Sequence, residues 1–182
     1  SGVVPAEWYC ELAWPEQSAA ADSDPVDGSW LVIGDDDVAA EIARTAGARV
    51  TTLAEDVDDA TLRATVAGTE YVLYAPPVNP TFDAASGTRI FTTARRISVA
   101  LAEATTQPRL ILVTRNAQPI AEGDRANPAH AVLWGLGRTL ALECPDIWGA
   151  VIDVDESVPA GLLARYAITE ARSDSGEDQI AY

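Results

Sequence analysis

The sequence predicts an α/β protein: a truncated Rossmann-like doubly wound parallel sheet with helices on both faces, plus a tethered N-terminal strand. Three observations lead there. From Trp30 onward, short apolar runs alternate with segments of helical period, the order that builds parallel strands joined by crossover helices. Runs such as Leu110–Val113 and Tyr71–Val78 are nearly continuous in apolar residues, as in strands covered on both faces. A length of 182 residues with 48% hydrophobic and 22% charged side chains suits one domain with a sizeable core. No repeat of solenoid period is apparent.

The elements follow in order. In Glu7–Trp14, strict alternation places Trp8, Cys10, Leu12 and Trp14 on one face of a strand and Glu7, Tyr9 and Glu11 on the other. Residues 1–15 form this N-terminal strand unit, 16–29, in a stretch rich in Ala, Asp, Pro and Gly, form a linker, and 30–182 form the main body. Two tryptophans on one face require cover from a sheet elsewhere. Then come strand Trp30–Ile33, helix Val38–Ala46 stopped by Gly47, and strand Arg49–Leu53. A short helix near Ala60–Val66, strand Tyr71–Ala75 and helix Thr88–Glu103 continue the series. In that long helix Ile90, Ala94, Ile97 and Leu101 form one buried stripe. Strand Leu110–Thr114 precedes a helix capped by Asn127 with Pro128 at its first position, running to about Leu142 and ended by Pro145. Strand Ala150–Val154 and a helix near Pro159–Ile168 complete five strands, before a polar tail at Ser173–Gln179.

Composition excludes several functions. The formal charge is −16, and residues 1–62 hold 14 acids against only Arg44 and Arg49. Such a field repels nucleic-acid phosphates and anionic lipid, so no nucleic-acid or membrane partner is expected. All twelve basic residues are Arg. The absence of lysine removes the P-loop lysine, Schiff-base chemistry and the lysine of short-chain reductases. Cys10 and Cys144 stand far apart and His130 is the single histidine, so no metal-ligand spacing exists. Without a signal peptide, a reducing cytoplasm is expected, and Ser1-Gly2 reads as a cloning remnant before a piece of something longer.

Ligands of such sheets bind at the carboxyl ends of the strands. After the first strand a dinucleotide site needs G-x-G-x-x-G, so that pyrophosphate approaches backbone N–H groups. Here the text is Gly34-Asp35-Asp36-Asp37. Only Gly34 survives, the three carboxylates repel a pyrophosphate, and this degenerate site is expected to bind no cofactor. Helix capping explains the acids, at ~0.3–1 kcal/mol each. A receiver-like Mg²⁺ pocket would need an Asp ending the third strand and a lysine, and both are missing. The Ser and Tyr-x-x-x-Lys of a short-chain reductase are missing too. Ser98 and Ser157 lack a nucleophile elbow, and His130 without a placed partner reads as a helix-surface or satisfied core residue. The stretch Trp134-Gly135-Leu136-Gly137-Arg138 puts two glycines in mid-helix, at a cost of ~1 kcal/mol each relative to Ala. Close backbone approach is the expected reason, with Trp134, Gly135, Gly137, Arg138 and Trp148 as packing or interface positions.

Trp30–Asp37, Arg109–Arg115 with Ala117-Gln118, and above all Ala131–Arg138 through Glu143, Pro145, Trp148 and Asp153 together resemble the structural subdomain of ketoreductases in modular type I polyketide synthases. The similarity spans about Trp8 to Tyr182. It implies a fold half that binds no cofactor and pairs with a catalytic ketoreductase subdomain, which binds NADPH and reduces β-ketoacyl thioesters carried on the phosphopantetheine of an acyl carrier protein. It also implies that the strand Trp8–Trp14 crosses to that half, leaving Trp8 and Trp14 exposed or covered by a neighbouring copy when the half is absent. An adjacent enoylreductase or dehydratase domain is a further expected partner, and a chain stopping at Tyr182 fits a module with an enoylreductase inserted there. The alternatives are a divergent NAD(P)-binding short-chain oxidoreductase and an acidic receiver-like or protein-interaction module.

Overall fold

The computed structural model describes residues 13–17, 28–78, 83–121, 123–124, 126–173 and 175–182. Eleven elements alternate among them: β1 Ser29–Ile33, α1 Asp36–Ala46, β2 Arg49–Leu53, α2 Asp59–Val66, β3 Tyr71–Tyr74, α3 Ala84–Glu103, β4 Arg109–Arg115, α4 Pro128–Glu143, β5 Trp148–Val154, α5 Ala160–Arg172 and β6 Gln179–Ala181. The strands form one parallel sheet in the order β2-β1-β3-β4-β5-β6. The switch in winding direction therefore falls beside β1, between β2 and β3.

Alternation along the strands divides the core between two faces. Leu31, Ile33, Val72, Tyr74, Leu110 and Leu112 pack with residues of α2, α3 and α4 on one side. Trp30, Val32, Leu73, Ile111, Val113 and Ile152 pack with α1 and α5 on the other. The interiors of β1, β3, β4 and β5 are mostly apolar on both faces because both are roofed, while the edge strand β2 is largely exposed.

From Trp30 onward the expected elements are present, with shifted limits and one addition. The described residues form six strands where the sequence predicts five for the main body. The sixth, β6, lies at the end of the stretch that reads as a polar tail. It is a three-residue edge strand with one large apolar side chain, Ile180, too short to show a period. Its pairing is made by the neighbour: Val151 N donates to Asp178 O at 2.8 Å and Tyr182 N to Asp153 O at 3.0 Å. Helix α3 begins at Ala84 rather than Thr88, because Asp83 caps it by accepting from Ser86 N at 2.7 Å. Strand β5 begins at Trp148 rather than Ala150, with an irregular register against β4 between Leu110 and Ile111. There Gly149 lets the strands close, since a Cβ on it would stand 2.6 Å from Leu110 O. Helix α5 runs on to Arg172, past the expected Ile168, burying Ala171.

Residues 13–17 form no regular element. Most of the expected N-terminal strand, including Trp8, Cys10 and Leu12, lies outside the described residues. Trp14 is half-buried and meets Trp134 edge to face at 5.4 Å and 79°, so the chain itself supplies part of its cover.

The two glycines of α4 divide, and Gly135 corrects the expectation of close approach at both. A Cβ on Gly137 would lie 2.8 Å from the Trp148 ring, whereas one on Gly135 meets nothing within 4 Å. The Trp148 ring is held, its Nε1 donating to Asp178 at 2.7 Å. Gly137→Ala is therefore expected to destabilise the chain by ~1–2 kcal/mol, overpacking outweighing helix propensity. Gly135→Ala is expected to stabilise it by ~0.5–1 kcal/mol. Urea unfolding of both variants checks the pair; equal shifts of one sign would contradict the assignment.

Candidate functional site

The carboxyl edge of the sheet is where a Rossmann-like fold places a ligand. Gly34 ends β1 with φ +107°, a left-handed conformation that an L side chain rarely adopts. A Cβ there would lie 2.3 Å from Ala75 O. The turn after β1 and the chain after β3 thus close on each other at the switch point. Asp35 accepts from Val38 N at 3.0 Å and caps α1, while Asp36 and Asp37 occupy its exposed first turn. Both acids complement the helix dipole. The three carboxylates of this turn would oppose a pyrophosphate by like charge.

Beside it a cleft of about 830 Å³ opens between β1, β2 and α3, lined by Asp36, Thr52, Glu55, Arg89, Thr93 and Arg96 among others. Three of its charged groups, Glu55, Arg89 and Arg96, are engaged. Glu55 accepts from Tyr74 Oη at 2.5 Å and pairs with Arg89. Burial first and Glu55 second push the Tyr74 phenol far above its ordinary range. Arg96 donates to Asp59 Oδ1 at 2.8 Å, to Glu55 O at 3.3 Å and to Val57 O. The two arginines lash the loop after β2 to α3.

On the other side of β3 the edge carries a polar network, beside a smaller pocket of about 220 Å³ lined by Asn116, Gln118 and Asp153 among others. Thr114 and Asp153 are buried at the ends of β4 and β5. Trp134 Nε1 donates to Thr114 Oγ1 at 3.0 Å, and Thr114 Oγ1 donates to Asp153 Oδ1 at 2.7 Å. Asp153 also accepts from Ala117 N and Gln118 N, each at 2.9 Å. Burial raises the Asp153 carboxyl from its ordinary value, and these donors pull it back. Asn116, at φ +51°, receives Glu156 N on its side chain at 2.9 Å and Asn127 N on its carbonyl at 2.5 Å. The strand-end loop thereby meets the cap of α4, where Asn127 Oδ1 accepts from Ala129 N at 3.1 Å.

Arg115 and His130 lie beside this network, both buried. The Arg115 guanidinium donates to Val158 O at 2.9 Å and Asp155 O at 3.3 Å. Burial lowers its pKa, and Asp35, Asp155 and Asp153 oppose that. His130 Nδ1 accepts from Arg115 N at 3.1 Å, so the ring proton sits on Nε2. Nε2 closes no hydrogen bond of good geometry among the described residues, although the Pro77 carbonyl lies near enough to favour the charged ring. Burial dominates and pushes the imidazole down to about 4.

The remaining expected positions separate. Arg138 Nε donates to Gln179 Oε1 at 3.1 Å, an exposed tie from α4 to β6. Ser98 is spent on Ala94 O at 2.9 Å and Ser157 on Asp155 at 2.5 Å. No group of three or more metal-ligating side chains occurs among the described residues. Cys144 is half-buried at the end of α4, and Cys10 lies outside them. No described helix is long and apolar enough to cross a membrane. Asp153, Arg115 and Asn116 are the site residues to which sequence reasoning assigns no role of their own; a lone acid ending an apolar run is the available signal.

Keeping His130 neutral carries a pH dependence. Its folded value lies below the ordinary 6.5, so the unfolded chain takes the proton first and stability falls as pH drops from about 6.5 toward 4. Wild type is expected to lose ~2–3 kcal/mol more than His130→Gln across that window. Denaturant midpoints at both limits measure it, and parallel pH curves would contradict a buried neutral ring.

Known proteins share this geometry. Residues 12–182 match the family model described as the Rossmann fold domain of polyketide synthase extender module SpnB. A phenolphthiocerol/phthiocerol polyketide synthase component of Mycobacterium tuberculosis H37Rv is 46% identical over 97% of this chain, which spans only 12% of that relative. The pikromycin polyketide synthase component PikAIII of Streptomyces venezuelae is 29% identical over 96% of the chain, itself 11% of that protein. Among solved structures, a C2-type ketoreductase from a modular polyketide synthase superposes with TM-score 0.70 and 29% identity, covering 86% of this chain and 38% of that one. An A-type ketoreductase gives TM-score 0.70 at 25% identity, covering 93% and 38%. A small-chain dehydrogenase shares the fold alone, with TM-score 0.61 at 11% identity over 86% of this chain and 96% of that one. The chain belongs to the Rossmann fold domain family of polyketide synthase extender module SpnB, matching the structural Rossmann subdomain of a modular polyketide synthase ketoreductase.

Proposed function

We propose that the chain is the noncatalytic scaffold half of a polyketide synthase ketoreductase. It stabilises an NADPH-dependent catalytic half, which reduces β-ketoacyl thioesters on an acyl carrier protein in the cytoplasm. The observation that carries this reading is the carboxyl edge itself: three carboxylates follow Gly34, where a Cβ would lie 2.3 Å from Ala75 O, and Asp153 and Arg115 are committed to internal bonds. A reductase must present an acid within reach of a carbonyl and leave room for nicotinamide. The one described histidine is buried, with Nδ1 committed to Arg115 N. The contribution to catalysis is preorganisation of the partner's site. Residues 30–182 are then a truncated Rossmann-like body.

The test is NADPH titration of the purified chain by calorimetry, together with reduction of a simple β-ketothioester. Binding weaker than ~1 mM, worth under ~4 kcal/mol, and no reduction are expected, with reduction appearing when the catalytic half is supplied. Saturable micromolar NADPH binding, or turnover by the chain alone, would move the assignment to a divergent short-chain oxidoreductase.

A further inference from the structure

We infer that Trp14 and Tyr182 are positioning residues for ketoreduction, because they tie the two ends of this chain to one residue of β5, Asp153; this rests on the scaffold reading above. Trp14 lies near the first described residue and Tyr182 is the last. On the entry side, the Trp14 ring meets Trp134 edge to face at 5.4 Å, an arrangement that aromatic pairs prefer. Trp134 is buried, and its Nε1 donates to Thr114 Oγ1 at 3.0 Å, which donates to Asp153 Oδ1 at 2.7 Å. On the exit side, Tyr182 N donates to Asp153 O at 3.0 Å. The Tyr182 ring stacks on Tyr166 of α5 with centroids 3.7 Å apart and planes at 10°, and its hydroxyl donates to Glu170 Oε1 at 2.5 Å.

The two ties reach Asp153 from opposite faces of the sheet. Trp14 packs on the core shared with α2, α3 and α4, and Tyr182 on the core shared with α1 and α5. One residue serves both because the entry tie uses its carboxylate and the exit tie its main-chain carbonyl. Strand β6 alone holds the exit weakly, since three residues at a sheet edge carry few ladder bonds. The clasp of Tyr182 on Tyr166 and Glu170 supplies the rest. Both aromatic residues are only half-buried, so what they fix is less the core than the separation of the two ends. The mycobacterial relative is matched over 97% of this chain, which is 12% of that protein, so in a protein of that kind further polypeptide joins here. A joint held at a fixed point raises the effective concentration of whatever it carries, and a loose joint dilutes it. A scaffold acts on rate by that route, through the orientation of the part that reacts.

Ketoreduction by the intact multienzyme carrying Trp14→Ala, Tyr182→Ala or both tests the inference. Each single substitution is expected to lower kcat about fivefold at unchanged KM for a β-ketothioester. The double variant is expected to lose about the same factor, because freeing either end already frees their separation. Tyr182→Phe keeps the stack on Tyr166 and should retain most of the rate. Stability should behave differently: the contacts lie on opposite faces, so the losses in denaturant midpoint add. Hydrogen exchange of the isolated chain is the second readout, with Tyr182→Ala speeding exchange at Ile180 and Ala181 about tenfold. Unchanged exchange there, or full kcat in either Ala variant, would overturn the inference and leave the scaffold reading in place. A loss of about 25-fold in the double variant would overturn it too, as the product expected of two independent structural contacts. Undiminished ketoreduction after deletion of the chain would overturn the scaffold reading itself.

Discussion

A carboxylate buried at the end of a central strand is tolerated only when its lone pairs are used, and Asp153 is that group here. Leaving it unpaired would cost several kcal/mol. Its acceptance of Thr114, Ala117 and Gln118 is therefore a geometric requirement on the whole β4–β5 end. The loop can close onto Asp153 only if Asn116 turns in the left-handed region, a conformation that asparagine tolerates better than most residues. That turn brings the Asn116 carbonyl to Asn127, whose side chain opens α4. The position of α4, and with it Trp134 and His130, descends from one buried charge.

The same network decides what the edge can do chemically. In an oxidoreductase, groups at the strand ends are poised with one hydrogen-bonding capacity free for substrate. Here the capacity is turned inward. Arg115 spans to two carbonyls of the β5–α5 connection, and His130 is kept neutral by burial that outweighs the nearby Pro77 carbonyl. On the β1 side, Arg96 reaches one carboxylate and two carbonyls, a geometry a lysine ammonium would not reproduce. The all-arginine composition suits bracing of this kind.

How much of this was legible in the sequence depended on the range of the interaction. Strands β1, β3, β4 and β5 were readable because burial on both faces leaves continuous apolar runs, and the exposed edge strand β2 from its place in the strand-helix-strand alternation. Asp35 and Asn127 were readable as caps because capping acts over three residues. Strand β6 was not, since its place comes from pairing with β5 rather than from its own pattern. The early start of α3 was hidden by Gly87, which tolerates the helix because Ala129 of α4 packs 3.5 Å from where its Cβ would be. Gly135 and Gly137 look alike in sequence and differ only in which one faces Trp148. Asp153 and Thr114 are 39 residues apart and become partners only when β4 and β5 lie side by side.

Closure of the edge and exposure of the helix pair are linked through α4. Its N-terminal turn is fixed by Asn127 and His130. Its middle is fixed by Trp134 on Thr114 and by Gly137 against Trp148, and its C-terminal half by Arg138 on Gln179. Every one of these ties lies on the sheet-facing or edge-facing side, so α4 is rigid in register while its outward side is left to Gly135 and Leu142, and α3 follows because it packs along α4. The polar network at the carboxyl edge thereby also fixes the register in which α4 lies on the sheet.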